Sequence, residues 1–342
     1  MALRRGTWLA TTMKLRAVVV LVALGLGLLT APRLTQGQRV HRIGVLQSTS
    51  SSIAGFREFD GLLPVWLSEL GYVRGQNLLY EYRTAVETDE ELPRLAAELV
   101  RLKVDLILAF GIRATRAAKQ ATGTIPIVIL AESDPVRAGL VTSLARPGGN
   151  ITGFSTLVLE LAGKRLELLK EAVPGLTRVA VLWNPADPDR VQEWKETQAA
   201  ARALGVRLQS LEVRGSDDFE SAFGAAAREQ AEGLLVLADR LLYAHARAIA
   251  DWATRSRLPA MYPDRYFVEP GQGGLMSYGP DYVDLARRGA ANIHKILEGT
   301  KAADLPVEQP MRFELVVNLK SAKALGLTMP PSVLIRVDRV IK

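Results

Sequence analysis

The sequence predicts an α/β protein of two doubly wound lobes, each built on a parallel sheet, and three observations carry that prediction. Beyond residue 40, short β-branched runs alternate with longer helical patterns, as βαβ units require. Residues 104–110 are almost continuously apolar, which suits a strand buried on both faces. The second half repeats the plan of the first. Strands expected to start at 42, 78, 104 and 125 recur at 178, 206, 234 and 259, offsets of 136, 128, 130 and 134 residues. Four strands at a nearly constant offset point to two Rossmann-like lobes of one design, with a hinge between them.

The elements follow in order. Residues 42–47 read as the first strand, with an amphipathic helix after Phe56, and residues 78–83 as the second strand. Leu92, Leu95, Ala96, Leu99 and Leu102 then recur at the spacing of a core-facing helix. Residues 104–110 form a strand, 113–121 a helix stopped by Thr122-Gly123, and 125–131 the fourth strand. In the second half, 178–183 is a strand, 191–204 a helix ended by Gly205, and 206–213 a strand. Ser216-Asp217 offers an N-cap for a helix to about Glu229. Residues 234–238 and 259–262 are strands on either side of a helix over 243–255. A helix over 281–298, a strand over 313–318 and a short helix over 319–325 close the chain.

Two glycine-rich stretches, Arg146 to Gly153 and Gly271 to Asp281, are candidate crossovers between lobes, since glycine absorbs backbone rotations that other residues resist. Ordinary surface turns are the alternative. The expected division is 40–153 plus about 281–311 for the first lobe and 154–280 plus about 312–342 for the second.

The first 37 residues differ from the rest. Arg4, Arg5, Lys14 and Arg16 precede an apolar run from Ala17 to Leu29, then Thr30-Ala31-Pro32. That order is expected of a cleavable secretory signal, and the run falls short of the ~20 apolar residues that span a bilayer. An uncleaved membrane anchor is the other reading. The segment holds five basic and no acidic groups, so without it the formal net charge falls from +7 to +2. The basic balance therefore gives no support to a nucleic-acid partner. The absence of cysteine excludes a disulfide scaffold, a thiol nucleophile and a lipidated N-terminal cysteine. The expectation is a periplasmic chain, exported with its signal removed, and monomeric.

The inventory of catalytic motifs is thin. His41, His245 and His294 are far apart in sequence and in no metal-ligand spacing. The chain beyond the signal has no G-x-S-x-G elbow, no phosphate loop and no G-x-G-x-x-G after a strand. No metal, cofactor or enzymatic activity is expected, although an α/β enzyme remains a rival reading. Polar loops at strand ends, where open α/β sheets bind ligands, are the better signal. Ser48 and Thr49 follow the first strand, and Gly111 and Ile112 open the helix after the third. Both suit a ligand carboxylate, because helix N-termini present unpaired N–H groups. Ser133 and Asp134 follow the fourth strand, and Asn184 and Asp239 hold the matching places in the second half. Trp183, Tyr262, Phe154 and Tyr278 are candidate cleft walls. Bland readings stand beside these: Asp134 before Pro135 is a strong N-cap, and Trp183 suits a core as well as a cleft.

Several stretches together resemble the ABC-transporter substrate-binding family that includes tryptophan- and tyrosine-binding members. They are Leu70-Gly-Tyr-Val-Arg-Gly-Gln-Asn-Leu78, Asp134-Pro-Val-Arg-Ala-Gly-Leu140 and Leu144-Ala-Arg-Pro-Gly-Gly-Asn-Ile-Thr-Gly153. Gly163-Lys-Arg-Leu-Glu-Leu-Leu169, Gly274-Leu-Met-Ser-Tyr-Gly-Pro280 and Phe313-Glu-Leu-Val-Val-Asn-Leu319 extend the likeness over Val40 to Lys342. The resemblance implies a type-I periplasmic binding fold with a ligand cleft between lobes. It also implies a small solute, an amino acid or related small carboxylate, handed to an inner-membrane permease with its ATPase. The ligand loops it implies are Ser48-Thr49, Gly111-Ile112, Ser133-Asp134, Asn184, Asp239 and Tyr278. Ile112 departs from the family, which often carries a small hydroxyl residue there, and so removes a possible hydrogen bond to ligand. A sensor that reports its ligand to a signalling receptor is the alternative use of the same fold.

Overall fold

The computed structural model describes residues 39–48, 54–86, 88–131, 134–156 and 161–342. The proposed signal, with Thr49, Ser133 and the side chain of Ser48, lies outside the described residues. Sheet 1 is built from β1 (His41–Ser48), β2 (Leu78–Ala85), β3 (Leu106–Phe110), β4 (Ile127–Ala131), β5 (Ile151–Ser155) and the short β11 (Val307–Glu308). Its spatial order is β11-β5-β4-β3-β1-β2, all pairs parallel. Sheet 2 is built from β6 (Arg178–Trp183), β7 (Arg207–Glu212), β8 (Gly233–Val236), β9 (Ala260–Tyr262), β10 (Met276–Pro280), β12 (Phe313–Asn318) and β13 (Arg339–Ile341). It runs β13-β12-β10-β9-β8-β6-β7, parallel except where β12 returns antiparallel to β10.

Alternation along each strand sends side chains to two cores. In β1, Ile43 and Val45 are fully buried on the face covered by α1 (Ala54–Glu69), where Phe59, Leu63 and Leu67 lie. Leu46 joins the opposite core with Leu95, Ala96 and Leu99 of α2 (Leu92–Arg101), the stripe expected from the helical spacing. Burial on both faces explains the continuous apolar character of β3 and β6. Helices α3 (Gly111–Ala121), α4 (Ala162–Ala172), α5 (Pro188–Leu204) and α6 (Asp218–Arg228) complete the layers. The expected stop at Gly205 is present, in the left-handed conformation.

Two local expectations need correction. The helix expected over 243–255 is two helices, α7 (Arg240–Ala244) and α8 (Ala246–Arg255), divided at His245. Asp217 makes no side-chain cap for α6; Asp218 instead accepts hydrogen bonds from the N–H groups of Arg214 and Gly215.

The chain passes between the lobes three times. It leaves sheet 1 after β5 and enters α4. It returns at Asp281, where α9 (Tyr282–Leu297) starts, capped by Asp281. Helix α9 lies on α1 so closely that a Cβ on Gly289 would stand 2.6 Å from Phe59 Cζ. After β11 it crosses again into β12, α10 (Leu319–Ala324), α11 (Pro331–Leu334) and β13. The glycine-rich stretches serve differently than expected. Residues 146–150 form a loop inside the first lobe, held by Asn150 Nδ2 donating to the carbonyls of Thr122 and Ile125. Gly271 and Gly273 shape a turn within the second lobe, and only the end of that stretch, Pro280-Asp281, is a crossing.

Candidate functional site

The carboxyl ends of parallel strands collect the polar loops on one rim of each sheet. In the first lobe β1, β3 and β4 are neighbours; Ser48 is the last residue of β1, and Gly111 and Asp134 follow β3 and β4. Gly111 has φ +83, a left-handed conformation that glycine adopts at no steric cost, and begins α3 directly after β3. Phe110 at the N-cap makes no side-chain hydrogen bond to this helix, and its first N–H groups and dipole lie at the rim where β3 ends. Ile112 is half-buried and packs on the apolar cluster behind sheet 1. Asp134 is exposed, and its Oδ1 accepts from the N–H of Val136 at 2.8 Å and of Arg137 at 3.3 Å. It closes a turn over residues 135–139, so the capping reading holds, for a turn rather than a helix.

In the second lobe, Asn184 after β6 and Asp239 after β8 meet. Asn184 Nδ2 donates to Asp239 Oδ2 at 3.3 Å, and Asn184 Oδ1 accepts from Ala186 N–H. Asp239 Oδ1 accepts from Leu241 N–H at 2.8 Å, which caps α7. Only 5% of Asp239 is exposed. Burial raises its pKa above the ordinary aspartate value, opposed by the Leu241 N–H and by nearby Arg190. Tyr278 lies on β10, half-buried, with its ring stacked on Phe313 of the neighbouring strand at 6.0 Å.

Three of the four aromatic cleft candidates belong to the cores. Phe154 and Tyr262 are fully buried, and Trp183 is 5% exposed, stacked on Trp194 and donating its indole N–H to Ser210. His41 and His294 do not face either rim; both meet Tyr72, one edge-on at 5.4 Å and the other through Nδ1 at 3.0 Å from the hydroxyl.

The polar centre of the second rim was missed by sequence reasoning. Arg165 of α4 is fully buried and donates to the Tyr278 carbonyl at 2.8 Å, the Pro263 carbonyl at 2.9 Å and Glu193 at 3.1 Å. Glu193 of α5, also fully buried, accepts from Arg190 as well and from the backbone N–H of Ala238. Burial drives its pKa up, against the pull of Arg190 and Arg165. Arg190 reaches back to Asp187, which caps α5. One buried network thus ties together the ends of β8, β9 and β10. The spacing Asp187, Arg190, Glu193 places alternating charges on one helix face, the signal that could have disclosed it.

A second cluster lies where β10 and β12 meet the crossings. Glu314 is 3.5 Å from Arg265, with its side chain 13% exposed. Burial raises its pKa from 4.5 to about 7, helped by Asp281 and Asp264 and opposed by Arg265 and Arg339. The folded chain therefore binds this proton more tightly than the unfolded chain, and stability falls as pH rises from about 4.5 to about 7. Glu314→Gln is expected to raise stability at pH 8 by on the order of 2–3 kcal/mol and to flatten the profile over that window. Urea unfolding at pH 5 and pH 8 checks it, and an equal midpoint shift at both pH values would contradict it.

The two rims face each other. Arg137 in the first lobe's capped turn lies 3.5 Å from Asp189 at the start of α5 in the second. Residues 49–341 match the family model described as ABC transporter substrate binding protein. The chain is 27% identical over 261 residues to the tyrosine-binding protein of Clostridioides difficile (strain R20291), covering 76% of this chain and 74% of that one. Among solved structures, a Streptococcus pneumonia ABC domain in complex with L-Trp matches with TM-score 0.77 at 26% identity, covering 88% of this chain and 100% of that one. A ligand-free, open substrate-binding protein from Clostridium difficile matches with TM-score 0.68, also at 26% identity, over 89% of this chain and 100% of that one.

Proposed function

The chain belongs to the ABC transporter substrate-binding protein family and has its two-lobed, type-I periplasmic binding fold, and from that premise we propose that it closes on an amino acid outside the cytoplasm. The family consists of binding proteins rather than enzymes. The observation that carries the reading is the opposed character of the two rims. The first lobe offers the N-terminus of α3 at Gly111-Ile112, where Phe110 at the N-cap makes no side-chain hydrogen bond. The second offers the buried Asp239 carboxylate braced by Asn184. A zwitterion complements both: its carboxylate meets the helix N–H groups, and its ammonium meets Asp239. Tyrosine and tryptophan, named for the two relatives, are the first ligands to try. Ile112 turned into the core leaves backbone N–H groups, not a side chain, as the donors at that position.

Closure makes contacts to both lobes available only in the closed form, and that difference in affinity shifts the equilibrium. The closed form is then received by an inner-membrane permease driven by its ATPase, with the mature chain acting as a monomer in the periplasm. Among the described residues no helix is long and apolar enough to cross a membrane.

A thermal-shift series on the chain from Val40 tests the reading. An amino acid at ~100 times its Kd is expected to add about 2.7 kcal/mol to stability. Asp239→Asn is expected to abolish most of that shift. No stabilisation by any amino acid, or full shift in the Asp239 variant, would contradict it.

A further inference from the structure

We propose that Arg137 and Asp189 form a latch across the cleft mouth that holds a fraction of the ligand-free chain closed, and that Asp134 and Asp187 serve as its positioning residues. The inference rests on the binding reading only in taking the cleft to open and close. Arg137 and Asp189 are 49% and 33% exposed at the side chain and 3.5 Å apart, one on each lobe. Neither position is left to chance. Asp134 Oδ1 accepts from the N–H of Arg137 itself, fixing the turn that carries it. Asp187 Oδ1 accepts from the N–H of Asp189 at 2.9 Å, fixing the helix start that carries the other partner. Asp187 in turn is braced by Arg190, and through it by Glu193 and Arg165. The second end of the latch is therefore mounted on the same buried network that shapes the binding rim.

The structure's likeness to its relatives points the same way. At equal identity and nearly equal coverage, it superposes better on the relative in complex with L-Trp, at TM-score 0.77, than on the ligand-free open one, at 0.68. An ion pair this exposed is modest and screened by salt. It is expected to change the closed-to-open ratio about two- to fivefold, enough to tune ligand release without locking the lobes. Asp134 on this account acts through Arg137 and not by touching ligand.

The chain has no cysteine, so one introduced on the exposed face of each lobe gives a unique pair for spin labels. Pulsed-dipolar distances in the ligand-free protein then report the closed fraction directly. The latch predicts a closed population at low salt that shrinks at 0.5 M NaCl and in Arg137→Glu, with melting temperature nearly unchanged. Combining Arg137→Glu with Asp189→Arg is expected to restore it, which a merely structural role would not produce. Asp134→Ala is expected to lower the closed fraction in the same direction. A wild-type distribution that is wholly open, single reversals without effect, or a charge swap that fails to restore closure would each overturn the latch. Because no ligand is added, these outcomes are independent of whether an amino acid binds.

Discussion

Glu193→Ala is expected to destabilise the protein by about 3–5 kcal/mol, and to weaken ligand binding beyond what the lower stability explains. Glu193 is fully buried between the guanidinium groups of Arg165 and Arg190, both fully buried themselves. Removing it leaves two cations facing each other away from water, which costs far more than losing an exposed pair. By contrast Glu167→Ala, which removes the partner of Lys164 in a pair 35% and 40% exposed, is expected to cost under about 1 kcal/mol. The binding consequence follows from Arg165. Its other hydrogen bonds hold the carbonyls of Tyr278 and Pro263, so a displaced guanidinium lets the ends of β9 and β10 shift relative to Asp239. For a chain of this size the stability loss corresponds to a melting-temperature drop of about 5–8 °C. Denaturant midpoints for the two alanine variants, side by side, decide the matter; comparable losses would refute the buried-network account.

Gly153→Ala carries the second large effect, an expected loss of about 3–6 kcal/mol from backbone strain and overpacking together. Gly153 sits in β5 at φ +127, paired with Ile129 of β4 and Val307 of β11. A Cβ there would stand 2.2 Å from the Ile129 carbonyl oxygen and 2.4 Å from its nitrogen. Both are backbone atoms of an interior strand, so nothing can rotate aside. Gly149→Ala is the matched comparison, since Gly149 also has positive φ, at +73, but no atom lies within 4 Å of its Cβ position. It is expected to cost only about 1–2 kcal/mol. Urea midpoints for the pair separate conformational strain from collision, and equal costs would remove the packing argument. This glycine was read from sequence as part of a hinge. Its place in β5 shows a different requirement, the close approach of two strands.

Most of the fold was legible because local periodicity encodes it. Continuous apolar residues announced β3, the stripe of Leu92, Leu95, Ala96 and Leu99 announced α2, and Gly205 marked the end of α5. Asn184 and Asp239 were found as a pair of equivalent loop positions, since each follows a strand at the same end of the sheet. The break at His245 was not legible, because the helical pattern runs through it; α7 ends there and α8 starts at once. Nor could the burial of Phe154 and Tyr262 be read, since an aromatic at a strand end suits core and cleft equally.

By itself, the sequence determined the alternation of strands and helices, the doubling of the plan and the loops that end on a common rim. All of these depend on neighbours within a few residues or on repetition along the chain. Only the tertiary structure decided which polar atoms meet. Arg165 and Glu193 are 28 residues apart, and Arg137 and Asp189 are 52 apart, on different lobes. Parallel strands bring such residues to one edge, and the burial of a charge is decided by everything packed around it. Spacing along α5 can place Asp187, Arg190 and Glu193 on one face, but it carries neither their burial nor the meeting with Arg165.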